Sequence, residues 1–368
     1  MNILYISSKK RWGGIVQWMQ TTALELKKRG HRVWIVSHPD SQLTTQADPD
    51  LNIIPRRLGF HYNPAAIFFI RRLIKEHAID LILTNIQKEV ICGGIAARLT
   101  GVANIRRVGN QFDFKNTRRF RLHQKHLVDL NIVPCRSMVG EIRSRAPWVC
   151  EQDFCVIYNG KPLPVFTAEE IREMRKEWGI LENSLVVGTT SQLSDVKRID
   201  GIIRVFARLC ADNPGLYLVI TGQGREEENL KTLARELGVD ERVRFPGFTR
   251  NPLLSAAAYD IAAFNSRYEG FSNSVVEFMA AGCPVVSTRV NGIDEIIEHN
   301  QNGLLVESGD ECAFYQALKT LVSDPPRRTK LSQNGLQTVK EQFSLNQMIN
   351  TVEQVYQKTK DFWPRGVF

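Results

Sequence analysis

Short runs of β-branched and apolar residues alternate along the chain with longer stretches whose apolar positions recur every three or four residues. In the first half, Asn2 to Ser7, Val33 to Ser37, Leu81 to Thr84, Asn104 to Val108 and Leu130 to Pro134 fit buried strands. Gly13-Gly14 marks a turn after the first of them, and a helix from about Ile15 to Arg29 stops at Gly30. The alternation pauses over Val156-Ile157-Tyr158-Asn159-Gly160-Lys161-Pro162-Leu163-Pro164, a turn-rich segment that reads as a linker. It then restarts with Leu185 to Thr190, Leu216 to Thr221, Val243 to Phe245, Ile261 to Phe264 and Pro284 to Ser287 as strands. The last stretch, from about Leu345 to Asp361, is helical and ends before Pro364. Strands separated by helical stretches predict an α/β chain with parallel sheets, repeated as two domains, 1–163 and 164–344. Two such sheets joined by one linker would create a cleft at the C-terminal edges of their strands, where open α/β sheets bind ligands.

With 368 residues, each domain is long enough to bury its own core, and 43% hydrophobic with 24% charged residues is ordinary for a globular chain. No apolar run reaches the roughly 18 residues that a membrane span needs. The first residues read as a buried strand rather than a signal peptide, and the expectation is a cytoplasmic protein. Seven scattered cysteines without C-x-x-C spacing argue against a disulfide framework and a zinc site. Charge is unevenly spread. Residues 1–164 hold 25 Lys and Arg against 12 Asp and Glu, whereas residues 165–368 hold 23 against 27. The basic half calls for an anionic partner.

The chemistry concentrates in Glu269-Gly270-Phe271-Ser272-Asn273-Ser274-Val275-Val276-Glu277-Phe278-Met279-Ala280-Ala281-Gly282-Cys283-Pro284-Val285-Val286. A strand leads through a glycine loop into a helix at about Ser272 or Asn273, both good N-caps. The N–H groups and positive end of such a helix suit a diphosphate. Glu269 before the helix and Glu277 inside it would flank that anion. A carboxylate beside phosphate is costly unless it accepts hydrogen bonds from hydroxyls, which sugars supply. The competing reading is a surface helix with incidental acids.

This string resembles the signature of glycosyltransferase family 4, retaining nucleotide-sugar enzymes of the GT-B fold, in which two Rossmann-like domains face each other across a cleft. The resemblance implies that Glu269 contacts the transferred sugar and Glu277 holds the ribose hydroxyls. Backbone N–H groups of Gly270, Phe271, Asn273 and Ser274 would bind sugar hydroxyls and diphosphate, with Ser272 at the helix start. Gly13-Gly14 resembles the family's N-terminal glycine loop. The dinucleotide fingerprint G-x-G-x-x-G is absent, and no acidic residue closes the second strand, which disfavours NAD. Gln192-Leu193-Ser194-Asp195-Val196-Lys197 resembles the family's R-L-x-x-x-K segment, whose cations neutralise the leaving diphosphate. Lys197 is kept, Gln192 replaces the arginine, and Arg198 is the candidate substitute. Gly222 and Gly224 match the family's G-x-G turn beside the nucleotide, Phe248 would lie near the base, and Asn291-Gly292-Ile293-Asp294-Glu295 resembles its G-x-x-E turn. Where many members carry a histidine near the acceptor, this chain has Asn110. His123 and His126, in a basic helix, read as surface residues. The resemblance further implies a front-face retaining mechanism in which the departing phosphate oxygen takes the acceptor proton. No metal or other cofactor is expected, because no D-x-D motif sits in a suitable loop. It also implies that the terminal helix, about 345–368, crosses back onto the first domain.

Two basic and aromatic clusters mark the first domain. One runs from Arg56-Arg57 through Phe68, Arg71 and Arg72. The other spans Phe112 to Lys125, with Arg118, Arg119 and Arg121 among Phe112, Phe114 and Phe120. Such mixtures suit the headgroup level of an anionic bilayer, which would place the protein peripherally on the inner face of the cytoplasmic membrane. The alternatives are that Ile67, Phe68, Ile70 and Leu73 are core under a solvated arginine face, or that the acceptor carries phosphate. No helix-turn-helix, RNP or zinc pattern supports nucleic-acid binding. The expectation is a retaining hexosyltransferase using a UDP- or GDP-sugar and a glycan or lipid-linked acceptor, in bacterial cell-surface polysaccharide or lipopolysaccharide synthesis. The runners-up are a sugar-nucleotide epimerase, hydrolase or phosphorylase on the same fold, and a non-catalytic sugar-nucleotide-binding module.

Overall fold

A computed structural model describes residues 1–46, 48–249 and 251–362. It forms two compact units: Met1–Asn159 together with the chain from Met348 onward, and Gly160–Gln347. In the first unit seven strands pair in parallel: β1 (Asn2–Ser7), β2 (Arg32–Ser37), β3 (Asn52–Pro55), β4 (Leu81–Thr84), β5 (Ala103–Arg107), β6 (Leu130–Val133) and β7 (Phe154–Val156). Their order is β3-β2-β1-β4-β5-β6-β7. In the second unit β8 (Leu185–Thr190), β9 (Leu216–Thr221), β10 (Val243–Gly247), β11 (Ile261–Phe264), β12 (Val285–Arg289) and β13 (Leu304–Glu307) follow the order β10-β9-β8-β11-β12-β13, again all parallel. Each sheet thus grows outward from its first strand in one direction, then reverses. These are two Rossmann-like domains, and each has a switch point beside its first strand, β1/β4 and β8/β11.

The local reasons follow from burial. Ile3, Leu4, Tyr5 and Ile6 of β1 are fully buried, since a parallel sheet covered by helices on both faces needs near-continuous apolar strands. The helix Gly14–Lys28 buries Val16, Met19, Ala23 and Leu26, one stripe at helical spacing, and the chain leaves it through Gly30 at φ +86°. In the second unit Ile199, Ile202, Ile203, Phe206 and Leu209 of the helix Ile199–Asp212 pack on Leu216, Leu218 and Ile220 of β9 within one core.

The helix Leu345–Phe362 begins in the second unit and continues into the first, where Met348, Ile349, Val352 and Tyr356 are buried. The Tyr356 hydroxyl meets that of Tyr5 at 3.1 Å, and Tyr5 reaches Thr22 at 3.3 Å. Around this contact, Arg29 donates to Asn350 at 2.7 Å and pairs with Glu353, His31 meets Glu353 at 2.8 Å, and Lys360 pairs with Asp80 at 3.0 Å.

Three strands not anticipated from the pattern, β3, β7 and β13, are short and lie at sheet edges. β3 and β7 have no fully buried position, so apolar periodicity marks them weakly. The chain passes between units at Asn159–Gly160 and Gln347–Met348, a few residues before and after the turn-based bounds at 163 and 344. Lys161 accounts for the first difference. Its N–H donates to Phe343 O and its carbonyl accepts from Leu345 N, both at 2.8 Å, which binds it into the second unit. Replacing Tyr356 with Ala is expected to lower stability by about 3–5 kcal/mol through the cavity left against β1. Tyr356→Phe should cost only about 1 kcal/mol, as one hydroxyl contact is lost. Melting curves of the two variants check this order.

Candidate functional site

The second sheet places its chemistry at its switch point. The loop after β8 carries Lys197 in the single turn Asp195–Lys197, and the loop after β11 carries Glu269. Hydrogen bonds to backbone carbonyls tie the two loops to each other and to β12. Arg267 N–H donates to Val196 O at 2.8 Å, Thr288 Oγ1 donates to Ser266 O at 2.8 Å, and the buried Asn265 reaches Arg198 O at 3.5 Å. Lys197 Nζ then donates to Glu269 Oε1 at 2.6 Å, and Ser266 Oγ donates to the same oxygen at 2.8 Å. The loop runs into the helix Asn273–Ala280 with Ser272 as N-cap. The Ser272 side chain makes no capping bond, so the first turn is not closed by its own cap.

Glu277 lies just over one turn into that helix, buried, and takes a hydrogen bond on Oε1 from Lys161 Nζ at 2.6 Å. Both carboxylates therefore sit beside the helix start with one oxygen held by a lysine. Among the described residues, Oε2 of each has no hydrogen-bond partner. That is the arrangement a hydroxyl-bearing ligand needs, because a neutralised carboxylate can still accept from it.

The glycines of the turn after β9 are required by close approach. A Cβ on Gly222 would stand 1.8 Å from Ser191 O, and one on Gly224 2.0 Å from Leu193 O. Gly222 also needs φ +136°, and Leu193 N–H donates to Gln223 O at 3.0 Å. This turn thus lies directly on the loop that carries Gln192 and Lys197. Gln192 itself is exposed. Arg198 adopts a left-handed backbone at φ +47°, and its guanidinium extends toward the Gly309 turn after β13. Phe248 follows β10 and is 69% exposed. Asn291–Glu295 forms a short turn in which Arg289 pairs with Asp294.

In the first unit Gly13 precedes the helix Gly14–Lys28 in extended backbone, with nothing within 4 Å of where a Cβ would stand. The fully buried Glu89 ties the two loops of the β1/β4 switch point. Its carboxylate accepts from Ser8 N at 2.6 Å, Ser8 Oγ at 2.7 Å, Asn85 N at 2.9 Å and Ile86 N at 3.1 Å. Burial raises its carboxyl pKa against those four bonds. Asn110 is exposed and caps a turn, accepting from Phe112 N at 2.9 Å. His126 is exposed, but His123 departs from the surface reading. It is half-buried, bonded to Tyr62 and at 2.8 Å from Gln87 Nε2. The amphipathic stretch 65–75 divides between the two readings of it: Ile67, Ile70 and Leu73 are core, and Phe68 is 63% exposed. Likewise Phe114 and Phe120 are buried while Phe112 is 56% exposed. Among the described residues no three His, Cys, Asp or Glu side chains cluster to hold a metal, and no helix is long and apolar enough to cross a membrane.

Residues 12–162 match the family described as Glycosyltransferase Family 4, and residues 170–338 match the one described as Glycosyl transferases group 1. The chain belongs to glycosyltransferase family 4. Relatives of this family 4 glycosyltransferase include the lipopolysaccharide core biosynthesis glycosyltransferase LpsE of Rhizobium meliloti, 38% identical over 43% of this chain and 46% of that one. Another is N-acetyl-alpha-D-glucosaminyl L-malate synthase of Bacillus anthracis, 26% identical over 68% of this chain and 64% of that one. The matched part spans from about half to under two thirds of these two curated relatives. A glycosyltransferase from Rickettsia africae superposes with a TM-score of 0.87 at 18% identity, covering 97% of this chain and 98% of that one. The Anabaena protein HepE, solved in complex with UDP, gives 0.84 at 22% identity over 97% and 100%. At these identities the likeness establishes the fold, which is the GT-B architecture expected from the motif.

Lys161 is the site residue that the family motif does not point to, since it stands in the turn-rich segment between the domains. Removing one partner of a buried ion pair leaves the other charge uncompensated. Lys161→Met is therefore expected to destabilise the glycosyltransferase by about 3–5 kcal/mol, and the double variant with Glu277→Gln to regain most of that loss. Chemical denaturation of the two variants measures both.

Proposed function

We propose that the chain transfers a hexosyl unit, with retention of anomeric configuration, from a UDP- or GDP-sugar to a hydroxyl of a glycan or lipid-linked saccharide in bacterial cell-surface polysaccharide or lipopolysaccharide synthesis. The observation that carries this reading is the pair of lysine-held glutamates flanking the start of the helix Asn273–Ala280 at the switch point of the second sheet. In this reading the diphosphate lies at the helix start, where N–H groups and the helix dipole favour negative charge. Glu277 accepts from the ribose hydroxyls through its second oxygen, and Glu269 from the hexose. As the bond between the anomeric carbon and the phosphate oxygen breaks, charge grows on the diphosphate, and Lys197 stands beside it to stabilise that charge. The acceptor oxygen attacks from the face the diphosphate leaves, and the departing phosphate oxygen takes its proton. The helix start and Lys197 supply the positive charge that a metal would otherwise supply, so transfer proceeds without one.

The nucleotide assignment draws support from HepE, a protein of the same fold solved with UDP and with UDP-glucose. The acceptor class draws support from LpsE and from the Campylobacter jejuni transferase whose name specifies a diphospho-undecaprenol acceptor. Exposed Phe60, Phe68 and Phe112, with Arg145 over the Phe112 ring and Arg56 and Arg72 over Phe69, give the first unit the composition of a surface that rests on an anionic bilayer.

UDP or GDP is expected to raise the melting temperature of the wild type without added metal, by mass action, and Glu277→Ala to remove most of that shift. No shift with any nucleoside diphosphate at millimolar concentration would sink the transferase reading and favour a non-catalytic module. In turnover, Glu269→Gln should lower kcat by roughly a hundredfold or more, as expected for loss of a group that acts on the transition state. Nucleotide release should require acceptor and persist in EDTA, and proton NMR of the first-formed product should show the donor's own anomeric configuration. Release without acceptor would instead indicate a hydrolase.

A further inference from the structure

The first unit contains a cavity of about 490 Å³ at the C-terminal ends of β4 and β5, beside its switch point. Its charged lining is one-sided: Arg106, Lys115 and Arg119 against one carboxylate, Asp113, with His61 and His123 beside them. Arg106 is 1% exposed and is held by neutral groups. Its Nε donates to Asn85 O at 3.0 Å, Nη1 to Gln124 Oε1 at 3.0 Å and Nη2 to Asp113 O at 3.4 Å. Its guanidinium also faces the rings of Phe114 and Phe120, with centroids at 5.0 and 5.4 Å. Among the described residues no carboxylate forms an ion pair with it, and burial depresses its pKa to about 10. Asp113 and Glu89 attract it only through space. A buried cation without a direct ion pair is costly, so an anion in the adjoining cavity would offset a cost the fold already carries.

Two further features point the same way. The helix Arg118–Leu127 starts at this cavity, with Thr117 as N-cap, so its positive end faces the same space. Lys115 and Arg119 are exposed at the rim and form no ion pair among the described residues. The lining also includes an unmet acceptor. Gln87 gives its amide N–H to His123 Nδ1 at 2.8 Å, while its Oε1 is buried without a partner. Such an atom calls for a donor, and a sugar hydroxyl is one.

We infer that this cavity binds the phosphoryl group of a phosphorylated saccharide, with Lys115, Arg119 and Arg106 facing the phosphate and Gln87 accepting from a neighbouring hydroxyl. That the saccharide is the acceptor rests on the transferase reading above. The phosphate site itself does not.

The test uses the full chain and glucose 6-phosphate, with glucose as the neutral control, followed by thermal shift. Glucose 6-phosphate should stabilise the wild type and Lys197→Ala alike, and glucose should stabilise neither. In the double variant Lys115→Gln with Arg119→Gln, both at exposed positions, the affinity should fall roughly tenfold or more, as loss of charge-assisted contacts implies. Retention of the shift in that double variant, or its loss in Lys197→Ala, would assign the phosphate to the helix start of the second unit and overturn the inference. So would binding to phosphatidylglycerol vesicles with no response to glucose 6-phosphate, which would make the basic face a lipid surface. UDP is titrated in parallel. A UDP shift without a phosphosugar shift removes only this inference, and the reverse removes only the transferase reading.

Discussion

A buried carboxylate is tolerable only while something holds its charge, and the second unit meets that constraint twice with a lysine. Lys197 reaches Glu269 from the loop after β8, and Lys161 reaches Glu277 from the segment that precedes the unit's first strand. Both pairs are largely buried, so the surrounding loops must be rigid enough to keep Nζ and Oε1 together. The backbone ties of Arg267 to Val196 and of Lys161 to Phe343 and Leu345 supply that rigidity. The glycines at 222 and 224 let one loop lie on the next without side chains between them. The site is therefore a property of four loops at one sheet edge more than of any single motif.

Much of this was legible in the sequence because it is local or periodic. The central strands are nearly continuous apolar runs buried on both faces, and their spacing identifies a parallel sheet. The Glu269–Glu277 string contains its own strand exit, glycine loop, N-cap and helix, so its conformation and its chemistry are read together. What escaped was long-range or marginal. Lys161 and Glu277 are 116 residues apart, and nothing near Lys161 except turn residues marks it. The edge strands β3 and β7 have no fully buried position to create a pattern. Phe112, Phe114 and Phe120 are alike in a linear reading. They differ in burial because the first lies in a short turn facing outward, whereas the other two close over Arg106.

The same contrast explains His123. A helix rich in Arg, Lys and His reads as solvated, yet one face of it packs against β5, β6 and the helix Gln87–Arg98. Phe120, Gln124 and His123 are the positions that turn inward. Polar residues on a buried face are tolerated only when they are satisfied. Gln124 is satisfied, by Arg106 and Asn131. Such pairings depend on tertiary neighbours that no window along the chain contains.

The helix Leu345–Phe362 closes the first unit with the last part of the chain. Everything from Gly160 to Gln347 must be made before Met348, Val352 and Tyr356 can cover β1 and the helix beside it. During synthesis the second unit can therefore finish folding while the first still exposes the apolar groove that this helix fills. The first unit's final contact spans 351 residues, between Tyr5 and Tyr356. Such a contact carries the loop-closure cost of a very long chain unless the unit between has already compacted. Connectivity therefore favours an order in which the segment Gly160–Gln347 compacts before Tyr5 and Tyr356 meet.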